Sequence, residues 1–184
     1  MEQTLTVCGT EYRIIRLLGH GKGGYSYLAE HHGRPVVLKQ IHHEPCDYYA
    51  FGNKIEAERH DYERLLGAGI RIPKMLVLDE NAERIVKEYV EGETVFDLVK
   101  NGVSAEGYFD QVREMAAKAQ AHGLNIDYFP TNFVVSDGVL WYIDYECNAY
   151  SDEWNFENWG IRYWSRTPEF LAYLAHLRKT EDQT

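Results

Sequence analysis

An α+β chain is expected from three observations. Strand-like runs separated by glycine turns fill most of the first ninety residues, one helical segment interrupts them, and helical periodicity takes over after residue 100. The expected organisation is an N-terminal lobe, residues 1–90, built on an antiparallel sheet with one helix, and an abbreviated helical C-terminal lobe, residues 91–184.

In the first lobe, Tyr25, Tyr27 and Ala29 alternate with Ser26, Leu28 and Glu30, the two-residue period of a strand. His32-Gly33 reads as a tight turn, and Val36-Val37-Leu38 is a β-rich run into Lys39. From Asp47 the chain reads as helical. Ile55, Tyr62, Leu65 and Leu66 recur at helical spacing, and Gly67 and Gly69 close the segment. Two strands follow, in KMLVLDE and ERIVKEYVEGET, and Thr94 with Asp97 forms a capping pattern that starts a short helix. Phe109, Val112, Ala116 and Ala119 make one helical stripe. FVVSDGVLWYID then reads as two short strands around the turn Ser136-Asp137-Gly138. The aromatic tail, with Trp159, Tyr163, Trp164, Phe170, Leu171, Leu174 and Leu177, predicts two short amphipathic helices separated near Pro168. Its expected role is to pack the short lobe; a partner or dimer face is the alternative.

At 184 residues the chain suits one domain, or two small lobes sharing one cleft, with enough length to bury a core. A net charge of -10 argues against a broad nucleic-acid footprint. Three cysteines, Cys8, Cys46 and Cys147, lack paired spacing and are expected as reduced thiols of a cytoplasmic protein, with no zinc site. The polar, alternating N-terminus is not expected to be a signal peptide, and no apolar run reaches membrane-spanning length. The pairs His31-His32 and His42-His43 invite a metal reading, but adjacent residues on a strand point to opposite faces and rarely chelate one ion.

The segment GHGKGG places four glycines, Gly19, Gly21, Gly23 and Gly24, within six positions. A nucleotide-triphosphatase loop needs Gly-Lys followed by Ser or Thr, but Gly23 follows Lys22. A dinucleotide fingerprint must open a helix, and here a strand follows. The remaining candidate is a glycine flap between antiparallel strands, with Lys39 on the next strand. Further on, Asp127 and Asn132 stand five apart around Pro130, and Asp144 ends an apolar strand twelve residues later. A carboxylate there is costly unless a cation or hydrogen bonds compensate.

Taken together, in this order and over residues 19 to 146, these segments resemble the protein-kinase-like superfamily, closest to its small atypical branches: lipopolysaccharide-type, Bud32-like and antibiotic-phosphotransferase-like kinases. The resemblance implies a minimal two-lobed kinase-like fold and an ATP- and Mg²⁺-dependent phosphotransferase acting on an unidentified hydroxyl acceptor. Gly19, Gly21, Gly23 and Gly24 would cover the phosphates. Lys39 would be oriented by Glu58, nineteen residues on, with Glu56 as second choice. The IVKEYVEG stretch resembles a kinase hinge, so the Glu88 carbonyl and the Val90 N–H would read adenine, and Lys87 would stand at the gate of that pocket, reaching outward or meeting an acid. Asp127 would be the catalytic base, and Asn132 and Asp144 would hold Mg²⁺.

The departures matter as well. Asn125 replaces the usual catalytic-loop histidine, Phe129 replaces a lysine, Tyr145-Glu146 replaces Phe-Gly, and few residues follow Asp144. These differences disfavour activation-loop switching and a protein-substrate platform; beside the phosphotransferase stand two rival readings, a nucleotide-binding pseudokinase and an ATPase-like component acting through a partner.

Overall fold

The computed structural model describes residues 3–44 and 53–181; Cys46 and the expected helix start at Asp47 lie outside the described residues. The chain is a mixed α+β protein that divides into two units, Met1–Glu63 with Pro73–Tyr89, and Arg64–Ile72 with Val90–Thr184.

In the first unit, β1 (Thr4–Val7), β2 (Thr10–His20), β3 (Gly24–His31) and β4 (Arg34–Ile41) precede α1 (Lys54–Gly67), β5 (Met75–Asp79) and β6 (Arg84–Glu88). The six strands form one antiparallel sheet in the order β1-β2-β3-β4-β6-β5. His32 and Gly33 join β3 to β4 with φ of 50° and 75°, the left-handed pair that a two-residue hairpin needs. The sheet curls until its outer strands meet. The Cys8 N–H donates to Asp79 Oδ2 at 2.6 Å, and Arg84 Nη1 donates to the Thr6 carbonyl at 2.6 Å. Inside the curl, Val7, Tyr12, Ala29, Val36, Leu38 and Val86 form the core. A second cluster of Ile41, Ile55 and Ile85 seats the start of α1, whose first turn is capped by Asn53 Oδ1 accepting the Glu56 N–H at 3.2 Å. The last turn of α1 and the chain after it belong to the second unit: Leu65 is fully buried, and Ala68, Ile70 and Ile72 are buried, but Leu66, expected in the core, is 56% exposed.

In the second unit, β7 (Glu93–Thr94) leads into α2 (Val95–Lys100), then α3 (Phe109–Ala121), β8 (Leu124–Ile126), β9 (Phe133–Ser136), β10 (Val139–Tyr142), β11 (Cys147–Ala149) and α4 (Pro168–Glu181). The strands make a three-stranded sheet, β10-β9-β7, and a two-stranded one, β11-β8. Thr94 caps α2 as its spacing predicts, its hydroxyl accepting the Asp97 N–H at 3.0 Å and donating to the Asp97 carboxylate at 2.7 Å. Asp137 and Gly138, with φ of 49° and 77°, make the β9–β10 turn. α3 buries Val112, Met115 and Ala119; Met115 takes the place expected for Ala116.

The tail corrects the two-helix expectation. Residues 152–164 hold only the 3-10 turns Asp152–Trp154 and Gly160–Tyr163, and α4 is the single α-helix of the tail. Asn155 accepts the Asn158 N–H on its side chain at 2.8 Å, as a cap does, but only turns and the short 3-10 segment follow. Gly160 must lie flat against Tyr128, because a Cβ there would stand 2.5 Å from the Tyr128 Cβ. The core of this unit is aromatic: Phe133 packs at 5.0 Å from Trp164 and 5.2 Å from Tyr142, and Phe156 at 5.3 Å from Trp164. Trp164 and Phe170 are fully buried, whereas Leu171 is 42% exposed. No helix among the described residues is long and apolar enough to cross a membrane.

Candidate functional site

Two groups of predicted residues take shape, one in each unit. In the first unit Lys39 sits on β4, paired with Ser26 of β3 on one side and Ile85 of β6 on the other. A strand held on both edges fixes the direction of its side chains. Lys39 Nζ forms an ion pair with Glu58 Oε1 of α1; the side chains are 12% and 17% exposed. At that depth neither charge is well solvated, so each depends on its partner. Glu56, the second choice, faces solvent with its side chain 63% exposed and only a long 3.9 Å approach to Arg59.

The glycine segment is the tip of the β2–β3 hairpin. The Gly21 and Gly24 amides donate to each other's carbonyls, at 3.0 and 3.3 Å, which leaves Lys22 and Gly23 at the turn. Gly23 lies over the ion pair: a Cβ there would stand 3.2 Å from Lys39 Nζ and 3.4 Å from Glu58 Oε1. Gly24 is obligatory, because its Cβ would fall 2.2 Å from the Gln40 carbonyl oxygen. Gly19 meets nothing within 4 Å and has no such requirement. Lys54, only 6% exposed, fastens the tip from below by donating to the Lys22 carbonyl at 3.3 Å and to that of His42 at 2.6 Å.

Lys87 is 7% exposed, on a strand flanked by β4 and β5, which removes the outward-reaching alternative. Glu88 ends β6, its amide donating to the Lys74 carbonyl and its carboxylate accepting the Lys74 N–H, both at 3.0 Å. Val90 opens the longer segment of the second unit and is half-buried.

In the second unit Asp127 follows β8. Its Oδ1 accepts the Phe129 N–H at 3.0 Å, which sets the carboxylate, and its own N–H donates to the Tyr142 hydroxyl at 3.3 Å. Tyr142 is fully buried, and its hydroxyl donates onward to the Glu146 carbonyl at 2.7 Å. Burial first, then the nearby Asp144 and Asp127 carboxylates, pushes the phenol well above its usual range, so it stays a donor. Tyr142 therefore ties the backbone of the Asp127 loop to that of the Asp144 loop. Sequence reading missed this link; its one signal was a tyrosine inside the apolar run VLWYID.

Asn132 and Asp144 are brought together by the β9–β10 ladder. It runs one step past the Phe133–Tyr142 pair, where the Ile143 N–H donates to the Asn132 carbonyl at 2.9 Å. Asn132 Nδ2 donates weakly to the Asp127 carbonyl at 3.4 Å, so a cation there would meet Oδ1, and Asp144 Oδ1 accepts the Tyr145 N–H at 2.7 Å. An amide oxygen and a carboxylate are both hard oxygen donors, the kind Mg²⁺ takes.

Asn125, at the expected histidine position, is 5% exposed and gives its Nδ2 to the Trp154 carbonyl at 2.8 Å; its Oδ1 has no hydrogen-bond partner among the described residues. Trp164 Nε1 donates to the Tyr128 carbonyl at 2.8 Å, so the tail holds the residue beside Asp127.

No protein-family model matches the chain. It is 30% identical over 112 residues to the Bacillus subtilis (strain 168) protein named "Putative serine/threonine-protein kinase YrzF", which covers 60% of this chain and 48% of that one. It is also 30% identical over 137 residues to "Serine/threonine-protein kinase pkn2" of Myxococcus xanthus, covering 68% of this chain and 16% of that one. The chain thus spans about half the length of the first relative and less than a fifth of the second. These similarities support a distant kinase-like relationship and a transferase at that level.

Proposed function

We propose that the chain is a minimal kinase-like phosphotransferase that moves the γ-phosphate of ATP to the hydroxyl of an acceptor. The observation that carries this reading is the Lys39–Glu58 ion pair beneath Gly23 of the glycine hairpin. Lys39 holds the α- and β-phosphates, kept in place by Glu58, and the hairpin tip covers them. Asn132 and Asp144 hold Mg²⁺, which neutralises charge on the transferred group when bound. Asp127 accepts the hydrogen bond and then the proton of the acceptor hydroxyl, its carboxylate aimed by the Phe129 N–H. Glu88 and Val90 read the adenine edge. The Asp144-Tyr145-Glu146 sequence favours a small atypical branch over a signalling kinase. The two kinase-named relatives support protein serine or threonine as the first acceptor class to test.

The test is thermal melting with Mg²⁺-ATP, followed by ADP and phosphoprotein assays with candidate acceptors. At ATP about 100 times Kd, binding adds about 2.7 kcal/mol of stability. Lys39→Met abolishes that gain, Glu58→Gln reduces it, and Glu56→Gln leaves it intact. No melting shift with any nucleotide would sink the proposal. ADP release that ignores every acceptor would turn it into an ATPase.

A further inference from the structure

We propose that His20, His42 and Glu44 form a binding site for a zinc-class transition-metal ion at the base of the glycine hairpin. The three residues come from separate places: the last position of β2, the residue after β4, and two positions further on. Strand register brings them together. His20 pairs with Tyr25, and Gly24 pairs with Ile41, so the chain leaving β4 emerges beside the β2–β3 turn.

The ligand atoms converge on one point. His20 Nε2 stands 3.2 Å from His42 Nε2 and 3.4 Å from Glu44 Oε2, and one ligand atom from each residue lies within 4.8 Å of the others. With metal–ligand distances of about 2.0–2.1 Å, neighbouring ligand atoms on a tetrahedron stand roughly 3.3–3.4 Å apart. The two shorter separations match such an edge before any ion arrives.

The surroundings also hold the ligands in place, as outer partners of metal sites do. Tyr25 donates its hydroxyl to Glu44 Oε1 at 2.5 Å, leaving Oε2 toward the histidines. The Tyr25 ring stacks on His20 at 4.2 Å with planes 3° apart, which fixes that imidazole. His42 Nε2 also lies 2.9 Å from the Gly21 carbonyl, and His42 Nδ1 accepts the Glu44 N–H at 3.3 Å. Coordination moves the His42 proton from Nε2 to Nδ1, giving up that long amide contact and the Gly21 bond.

Two imidazoles and one carboxylate suit zinc, cobalt or nickel, whereas Mg²⁺ takes oxygen ligands. The His20 and Glu44 side chains are 46% and 52% exposed, so an ion can enter and keep a water in its fourth position. The site stands apart from Asn132 and Asp144 in sequence and in donor type. An ion here would cross-link the hairpin base to the end of β4, next to the glycines that the proposed nucleotide would touch.

The experiment is a cobalt titration of the chelator-treated full chain, without nucleotide, followed by visible absorption. One Co²⁺ per chain should bind with the spectrum of a tetrahedral site, and zinc, but not Mg²⁺, should displace it. His20→Ala and His42→Ala should each weaken binding by about tenfold or more, as should Tyr25→Phe, which keeps all three ligands. His43→Ala should bind as the parent does, since His43 faces Glu83 at 2.6 Å. Melting curves taken in chelator separate lost binding from lost folding. The proposal is overturned by the absence of stoichiometric binding. Binding that survives in the His20→Ala/His42→Ala double variant also overturns it, as adventitious. No nucleotide is used, so this outcome is independent of the phosphotransferase reading.

Discussion

The two units hold their chemistry in different ways. In the first, Lys39 and Glu58 sit inside regular elements, a strand bonded on both edges and a helix seated by Ile55. In the second, Asp127, Asn132 and Asp144 sit on turns between strands of three or four residues, and single hydrogen bonds from Tyr142 and Trp164 keep those turns in shape. A ladder spreads its constraint over many small bonds. An aromatic clamp concentrates it in one or two buried groups. Substitutions in the second unit should therefore have larger and more separable effects than comparable ones in the first.

The largest effect is expected at Asp127. Asp127→Ala should lower phosphoryl transfer by roughly 10²–10⁴-fold, the range for one general acid–base group. The melting shift with Mg²⁺-ATP should survive, because Asp127 is assigned to the acceptor hydroxyl and not to the nucleotide or its metal. Loss of that shift in Asp127→Ala, with the shift kept in Asp144→Ala, would overturn the two assignments.

Next comes Trp164, which is fully buried and bonded to the Tyr128 carbonyl. Trp164→Ala should cost about 3–5 kcal/mol in urea denaturation. A cost below about 1 kcal/mol would mean that the aromatic cluster does not carry this unit. Tyr142→Phe is milder. It keeps the ring and leaves the Asp127 N–H and the Glu146 carbonyl without the hydroxyl, for about 1–3 kcal/mol. Turnover should fall while the KM for ATP holds; a change in KM alone would deny the link to the Asp127 loop.

The smallest expected effect lies in the first unit. The backbone N–H groups of Cys8 and then Ala82 hold the Asp79 carboxyl below its usual range. A depressed carboxyl pKa stabilises the fold fully above the unfolded value, about pH 4, and that contribution is lost as the pH falls through the folded value. Asp79→Asn should therefore be slightly less stable than the parent at pH 7 and equal to it at low pH. A difference that persists in acid would place the effect in packing rather than charge.

Local chemistry made much of the fold readable in advance. His32-Gly33 and Asp137-Gly138 announce hairpin turns because few other pairs tolerate two left-handed residues. Thr94 announces a helix start because its hydroxyl must reach the Asp97 amide. Sequence did less well where a distant partner decides. Residues 152–164 look amphipathic, yet Gly160 has to lie against Tyr128, and Asn155 and Asn158 spend their side chains on turns. Leu66 has the right period for the core, yet its neighbour Leu65 takes the inward direction and Leu66 faces solvent. For the candidate site, the nineteen-residue spacing named Glu58, and the structure sets that residue on Lys39. Neither Tyr142 nor the His20–His42–Glu44 group follows from spacing. The first acts through backbone groups, and the second is assembled by ladder register, so the histidines come together across strands rather than as the neighbours the sequence displays.

The Trp164–Tyr128 bond also sets an order of events during synthesis. The ring that closes on the Tyr128 carbonyl lies 36 residues downstream. At roughly 5–20 residues per second, those residues take roughly 2–7 seconds to add. During that interval a growing chain already contains Lys39, Glu58 and Asp127 but lacks the indole that locks the loop beside Asp127. The N-terminal sheet can form as it is made, while the second unit has to wait for its last third. A ribosome that stalls before Trp164 would leave the second unit without its clamp.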